Sequence, residues 1–377
     1  MKTKLIYPKI TENFGENLLK LRGIKDVKEF CNPTDEVLES WQRLDTLYVC
    51  ASYFLKILKD KEKPYIGLIQ DADCDGLTSA AIMYQYVKLV KPETVIEVYI
   101  HEGKQHGLSD CYDVLLKKEF DMLIVPDAGT NDGEYIKEFS CPVFVIDHHL
   151  KDEDSIIPQN MLLINNQTSP EYENKQLTGA GMVYQFCRAV DYYNNTDFAS
   201  QFIDLAALGI CGDMGSGLEV ENQYFWRKGF KNIQNYFFKT LIDKRSFSMG
   251  GEVNPISVAF YIVPMINALI RVGTKEEKQR LFMAMVNGHA LVESNKRGEK
   301  GIKVAVAQES ARECVNAKTH QDKQKEEIVE QLEAQIFKYD LLENQILFIR
   351  LDDSIQFPSE LNGLIANQLI EDRKSVV

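Results

Sequence analysis

The sequence lacks several features that would indicate a membrane or secreted protein. Its 377 residues contain no run of about 18 apolar residues, so we expect no membrane span. The opening stretch "MKTKLIYPKITENFGENLLK" has positive charge but no sustained apolar segment, so we expect no signal peptide. The eight cysteines include no C-x-x-C pair, which favours reduced, structural thiols. Internal repeats and low-complexity tracts are also missing. We therefore expect a folded cytoplasmic protein.

The acidic charge of the chain is unevenly distributed. The net charge is −13, yet the segment from Arg227 to Lys303 holds nine Lys and five Arg against six acidic residues. An acidic protein with one basic region can still attract phosphate groups locally. A solvated charged face explains the same composition equally well, so composition alone leaves both interpretations open.

Strand-like runs alternate with helical patterns between residues 65 and about 150. The predicted strands are "YIGLIQ", "TVIEVYI", "MLIVPD" and "PVFVID", and the clearest helix spans 77–90. This alternation predicts an α/β fold with a mostly parallel sheet flanked by helices. Residues 1–64 read as a helical N-terminal extension. Helical patterning dominates again from 178 to about 290, within a domain predicted for 65–300.

A long charged helix with few breakers is predicted for about 303–338, within a connecting segment at 301–339. "NQILFIRLD" then begins a strand and "NGLIANQLIEDRKSVV" a helix, so residues 340–377 read as the start of a second α/β domain. So short a segment cannot bury a core alone. We expect it to be poorly ordered, packed on the first domain, or covered by another chain.

The densest cluster of charge is "DADCDG" at residues 71–76. Aspartates so close together repel one another unless cations or backbone donors offset the repulsion. The pattern resembles the start of an EF-hand calcium loop, but the required glutamate at its twelfth position is replaced by Ile82. An apolar strand also stands where an EF-hand has a helix. The stretch reads strand, acidic turn and helix, which excludes an EF-hand.

Acidic residues and histidines follow the predicted strands and one apolar helix. The residues at these positions are Asp71, Asp73, Asp75, Asp127, Asp147, His148, His149 and, after "FIDLAALGICG", Asp213. Singly, each has an ordinary explanation as a turn former or helix cap. Together, at the carboxyl edge of one sheet, they predict a metal site. Carboxylates with one or two imidazoles suit Mn²⁺ or Mg²⁺ better than Zn²⁺, and the number of ligands favours two ions.

These motifs resemble the DHH phosphoesterase family, named for the D-H-H found here at Asp147–His149. "DADCDG", "VPDAGTND" and "GICGDMG" are similar to its first, second and fourth motifs. "LLKLRGIKDVKEF", "HEGKQHGLSD", "LTGAGMVYQFCRAV" and "VPMINALIRVG" resemble segments of its RecJ-type single-strand nucleases. "DAGTND" fits the second motif only loosely. The family's DHH-associated domain would continue to a glycine-rich motif that this sequence does not contain, so residues 340–377 resemble an incomplete domain of that kind.

The resemblance implies a role for each candidate residue. Five residues would bind two Mn²⁺ ions, with Mg²⁺ as the alternative: Asp73, Asp75, Asp127, His148 and Asp213. Asp71 would be a further ligand or support one. Asp147 would orient His148, and His149 would stabilise charge on the phosphate. Three residues would hold the substrate backbone: His106, Asn267 and Arg271. For Asn267, a packing role between helices is an almost equal alternative.

The resemblance also implies an activity. It points to a 5′→3′ exonuclease on single-stranded DNA that releases 5′-mononucleotides by two-metal hydrolysis, in DNA repair or recombination. A DHH phosphodiesterase acting on short oligonucleotides or cyclic dinucleotides would keep the same metal site, although the N-terminal extension and the basic segment argue against it. A non-enzymatic scaffold of replication or repair is a third interpretation. Such relatives have lost metal ligands, whereas every ligand position here is occupied.

Overall fold

A parallel sheet forms the centre of the computed structural model, which describes residues 13–103, 105–341, 347–349 and 361–373. Its strands are β1 (Tyr65–Gln70), β2 (Val95–Ile100), β3 (Met122–Pro126), β4 (Val143–Asp147) and β5 (Met161–Asn165). They lie in the order β2-β1-β3-β4-β5, and every neighbouring pair is parallel. The four strands predicted from the sequence are confirmed, as is the α/β fold class. Strand β5 was missed.

Helices cover both faces of the sheet. Those within the described residues are α1 (Phe14–Leu21), α2 (Val27–Cys31), α3 (Leu47–Asp60), α4 (Cys74–Val90), α5 (Tyr112–Leu115), α6 (Gly133–Ile136), α7 (Gly179–Asn194), α8 (Ile203–Gly212), α9 (Val220–Gly229), α10 (Tyr236–Arg245), α11 (Pro255–Tyr261), α12 (Val263–Val272), α13 (Lys275–Val286), α14 (Val306–Lys338) and α15 (Asn362–Arg373). Short 3-10 helices span Asp35–Arg43 and Ala199–Phe202. An antiparallel hairpin of β6 (Leu291–Glu293) and β7 (Lys303–Ala305), also missed from the sequence, leads into α14.

The strands are apolar on both faces because each face meets helices. In β3, Met122 and Ile124 pack into a large core on one face, whereas Leu123 and Val125 pack into a smaller core on the other. The large core includes residues of α3, α4, α7 and α8, and the small core includes residues of α5 and α6. This alternation is the period of two that strand geometry imposes.

Helix α3, within the predicted N-terminal extension, belongs to the large core. Phe54 of α3 meets Phe144 of β4 and Phe186 of α7 edge-on, with ring centroids 5.5 and 5.2 Å apart. The boundary predicted at residue 64 therefore does not separate two cores.

The end of the described chain packs on the connecting helix. Helix α14 is 33 residues long, close to the predicted span. Its second half buries Ile328, Leu332 and neighbouring residues against Leu361, Ile365 and Leu369, and Leu347 and Ile349 border this cluster. The partner of this apolar face is therefore α14, which was not among the partners expected from the sequence. Of the strand predicted at 344–352, only residues 347–349 lie within the described residues.

Among the described residues, one segment is long and apolar enough to cross a membrane, Pro255–Val272, with a mean hydropathy of 1.6. It comprises α11 and α12, and 50% of it is buried inside the protein. Composition alone does not distinguish such a segment from a core helix, and here it packs against α8 and α14.

Candidate metal centre

The strand order creates a crevice at the carboxyl edge of the sheet. Strand β2 lies on one side of β1 and β3 on the other, so the connections that follow the adjacent strands β1 and β3 run in opposite directions. Open α/β sheets bind ligands at such a switch point. Asp71 follows β1, Asp127 follows β3, and Asp147 ends β4. The predicted acidic positions therefore meet at one edge of the sheet.

Asp75, in the first turn of α4, is held by the N-terminus of α7. Its two carboxylate oxygens accept backbone N–H groups of Gly179 at 2.7 Å and Ala180 at 3.0 Å. The positive end of the helix dipole favours a carboxylate there. Burial, followed by the charges of Asp73 and Asp213, nevertheless raises the pKa of Asp75 to about 7. Repulsion of this kind between carboxylates is what a bound cation relieves.

Asp127 is buried and adopts a left-handed backbone conformation, with φ of +64°. Aspartate tolerates this region better than most residues. Its Oδ1 atom is buried and accepts no hydrogen bond of good geometry from the described residues, although the ring of His148 lies close to it. A Cβ atom added at Gly179 would lie 2.1 Å from that oxygen, so only glycine allows α7 to begin so close to it. Burial raises the pKa of Asp127 well above its ordinary value. A buried carboxylate oxygen that accepts no hydrogen bond fits the role of a metal ligand.

His148 points its Nε2 atom at two carboxylates. The atom lies 3.2 Å from Asp127 Oδ1 and 3.6 Å from Asp213 Oδ2. Burial, helped by the charge of His149, lowers the pKa of His148, which favours the neutral imidazole that metals bind.

Potential ligand atoms gather in overlapping sets, each with all atoms within 4.8 Å of one another. One set comprises Asp75, His148 and Asp213; another comprises Asp71, Asp73 and Asp127; a third comprises Asp127, Asp147, His148 and His149. The structure thus brings together all five metal ligands predicted from the sequence, with Asp71 beside them. Sets rich in carboxylate oxygen, with no more than two imidazoles, fit a hard divalent cation.

The structure pairs Asp147 with the ring of His149. Asp147 Oδ1 accepts a hydrogen bond from His149 Nδ1 at 2.8 Å, and Oδ2 accepts the backbone N–H of Thr130 at 3.0 Å. Burial alone would raise the pKa of Asp147, but the hydrogen bond and charge of His149 lower it overall. That same hydrogen bond raises the pKa of His149 to about 9. The expectation that Asp147 orients the ring of His148 is therefore wrong, because His148 offers Asp147 only its backbone N–H, at 2.7 Å.

His106 lies on the loop after β2 and reaches the same centre. Its Nδ1 atom is 2.5 Å from Asp71 Oδ2, and the backbone N–H of Gly107 donates to Asp71 Oδ1 at 3.3 Å. The hydrogen bond with Asp71 raises the pKa of His106. The next residue, Leu108, donates its N–H to Asp132 at 2.8 Å. Carboxylates therefore hold this loop at three consecutive positions.

Asn267 and Arg271, one turn apart on α12, lie beside the "DADCDG" turn. Asn267 Oδ1 accepts the backbone N–H of Cys74 at 2.9 Å, which satisfies a free donor in the first turn of α4. This contact is the packing role considered for Asn267. Burial lowers the pKa of Arg271, and the carboxylate of Asp73 opposes that effect.

Two supporting side chains were missed. Lys278 of α13 is 2% exposed, and its Nζ donates to the backbone oxygens of His101, at 3.4 Å, and Glu102, where the loop that carries His106 begins. Asn165, at the end of β5, donates to Thr130 Oγ1 at 2.8 Å and to the backbone oxygen of His149 at 2.9 Å. Recognition of "MLLIN" as a strand would have revealed Asn165 as another polar strand end.

The fold and the site define an open parallel α/β protein with a carboxylate-rich candidate metal centre. Residues 65–210 match the family model described as DHH family, N-terminal domain. The chain therefore contains a DHH-family domain.

Similar proteins include YorK, an SPbeta prophage-derived protein of Bacillus subtilis strain 168 whose assignment as a single-strand DNA-specific exonuclease is provisional. Identity is 33% over 364 residues, which covers 96% of this chain and 62% of YorK. The single-stranded-DNA-specific exonuclease RecJ of B. subtilis is 24% identical over 228 residues, 58% of this chain and 28% of RecJ. The chain thus spans less than two thirds of these relatives.

Solved RecJ structures share the fold. A crystal structure of exonuclease RecJ bound to manganese matches with a TM-score of 0.71 and 20% identity, over 87% of this chain and 78% of that one. RecJ of Thermus thermophilus in complex with Mn²⁺ matches with a TM-score of 0.68 and 20% identity, over 87% of this chain and 45% of that one.

Proposed function

We propose that the protein is a metal-dependent phosphodiesterase that degrades single-stranded DNA from the 5′ end and releases 5′-mononucleotides. The observation that carries this proposal is the meeting of eight carboxylate and imidazole side chains, from four separate segments of the chain, at the switch point of the sheet. The names of the YorK and RecJ relatives support the choice of substrate.

Two divalent cations would be held by the adjoining ligand sets. Asp75, His148 and Asp213 would bind one, and Asp71, Asp73 and Asp127 the other. Mn²⁺ is the proposed ion, supported by the manganese-bound RecJ structures, with Mg²⁺ as the alternative. When bound, such ions polarise phosphoryl oxygens and make a water molecule more acidic.

The side chains around these ligands would bind and stabilise the phosphodiester. His149 is held in its protonated form by Asp147, and in that form it would donate a hydrogen bond to a phosphoryl oxygen as negative charge develops. Arg271 and His106, on either side of the acidic turn, would bind phosphate oxygens of the strand. Asn267 would position the first turn of α4 through its Oδ1 atom and donate to the substrate backbone through its Nδ2 group.

The proposal includes the domain division expected from the sequence. Residues 65–300 would be the catalytic domain, 301–339 the connecting segment, and 340–377 the beginning of a DHH-associated domain that binds substrate. We place the protein in the cytoplasm, in DNA repair or recombination. Eight free cysteines, six of them buried, support a reducing compartment.

Digestion of labelled DNA tests the proposal. A long single strand labelled at its 5′ or 3′ end, the matching duplex and a dinucleotide would be incubated with Mn²⁺, Mg²⁺ or EDTA. We expect mononucleotides from the 5′ end of the single strand, and none in EDTA. Asp75→Ala and Asp127→Ala should abolish hydrolysis, whereas the control Asp243→Ala, an exposed position on α10, should retain it. Full activity of both site variants would refute the metal centre, and cleavage of the dinucleotide alone would favour a short-oligonucleotide phosphodiesterase.

A further inference from the structure

Several cations of the basic segment from Arg227 to Lys303 form ion pairs with acidic side chains. The occupied cations and their partners are Arg280 with Glu313 at 2.7 Å, Lys296 with Glu299 at 2.5 Å, Lys228 with Asp35 at 3.2 Å, and Lys275 with Glu102 at 3.4 Å. The segment is therefore not one uniform phosphate-binding face. By contrast, Arg227 and Lys231 are exposed and form no ion pair with the part of the chain that the structure describes.

Arg227 and Lys231 line a cavity of about 370 Å³ at the end of α9. Two aromatic residues, Trp226 and Phe230, line the same cavity, and Pro255, at the start of α11, closes its other side. Trp226 and Arg227 lie in the last turn of α9, and Phe230 and Lys231 follow directly after its end. None of the lining residues is acidic. In a protein of net charge −13, such a cavity is locally suited to an anion with an aromatic part.

The cavity adjoins the segment that leaves the candidate metal centre. The thiol of Cys211, two residues before Asp213, donates to the backbone oxygen of Pro255 at 3.8 Å. Gln223, another lining residue, donates to the backbone oxygen of Gly217 at 2.8 Å, within the loop that follows Asp213. If the scissile phosphate of single-stranded DNA lies at Asp213, a neighbouring nucleotide of the same DNA strand can therefore reach this cavity.

We propose that this cavity is a nucleotide subsite for the single-stranded substrate. The phosphate would lie against Arg227 and Lys231, and the base would contact Trp226 and Phe230. Single strands are commonly bound by cations that follow the backbone and by aromatic rings that contact bases without regard to sequence. This inference rests on the proposed function, because it assumes that a single strand occupies the metal centre.

Binding measurements without cleavage test the subsite. A fluorescein-labelled single strand of about 12 nucleotides would be titrated in EDTA at several salt concentrations, with fluorescence anisotropy as the readout. For Arg227→Gln/Lys231→Gln, we expect the Kd to rise about tenfold at low salt. The slope of the logarithm of the association constant against the logarithm of the salt concentration should become shallower by about 0.7, because the double variant no longer neutralises one phosphate of the single strand.

Two further variants separate the contributions. Lys228→Gln removes a cation from the same helix that does not line the cavity, so its Kd and slope should match the wild type. Phe230→Leu should weaken binding without a change in slope, because it removes a ring and no charge. Unfolding temperatures would verify that each variant is folded. Wild-type affinity and slope in the double variant would overturn the subsite alone, whereas a wild-type protein that neither binds nor cleaves single strands would overturn the proposed function as well.

Discussion

Replacement of Gly179 by alanine tests how the N-terminus of α7 supports the candidate metal centre. The added Cβ would lie 2.1 Å from Asp127 Oδ1 and 2.5 Å from both Cβ and Cγ of Asp127. Non-bonded atoms do not approach so closely, so either Asp127 or the start of α7 must move. If α7 moves, Asp75 loses the N–H of Gly179, now 2.7 Å from its carboxylate. Both outcomes displace a predicted metal ligand.

The size of the effect follows from these contacts. A hydrogen bond to a charged group contributes about 1.5–3 kcal/mol, and each 1.4 kcal/mol changes a binding constant tenfold. Loss of the Gly179 hydrogen bond therefore predicts Mn²⁺ affinity about 10- to 150-fold weaker. This range agrees with the loss of about 10- to 100-fold in metal affinity that is typical when a group that orients a metal ligand is removed.

Gly181, two residues further along α7, offers a matched control. A Cβ added there would lie 2.3 Å from Leu177 Cδ1, an equally close approach to an apolar side chain instead of a candidate ligand. Gly181→Ala should lower the unfolding temperature through poorer packing but retain wild-type Mn²⁺ affinity. Isothermal titration calorimetry would measure the affinity, and metal-free thermal unfolding would measure stability. A folded Gly179→Ala protein that binds Mn²⁺ as tightly as the wild type would refute the reasoning.

Two other variants test supporting contacts. Lys278→Met keeps the aliphatic stem but removes the ammonium group that holds the backbone just after β2, so backbone amides of the loop carrying His106 should exchange with deuterium faster. The exposed control Lys239→Met, on α10, should leave this exchange unchanged, and unchanged exchange in Lys278→Met would contradict the role. Asp147→Asn weakens the hydrogen bond and removes the charge that together raise the pKa of His149 to about 9, so in the metal-free protein the ring should lose its proton at a lower pH. An NMR titration with the midpoint still near 9 would exclude Asp147 as the cause.

The positions of the candidate ligands could be predicted from the sequence because strand ends are local features. An apolar run followed by aspartate marks the end of a buried strand, and parallel strands place all such ends at one edge of the sheet. Asp71, Asp127 and Asp147 therefore had to lie near one another once the strands were identified. The two histidines that follow Asp147 lie beyond the end of β4, so strand alternation does not decide which of their rings Asp147 meets.

Contacts that depend on backbone groups or on distant segments were decided by the tertiary structure alone. The N–H groups that hold Asp75 come from Gly179 and Ala180, about a hundred residues away, and every residue except proline carries such a donor. Side-chain identity therefore gives no sign of which N–H will be used.

The partners of charged side chains and of apolar helix faces were likewise decided by the tertiary structure. Lys278 counts as one of fourteen cations in the basic segment, but only packing shows that it is buried against the end of β2. The apolar face of α15 has no partner nearby in sequence and finds one in the second half of α14. Sequence patterns report what a residue can bind and how its local backbone folds. Which partner it meets depends on how the helices pack around the sheet, because packing brings together segments that are far apart in the chain.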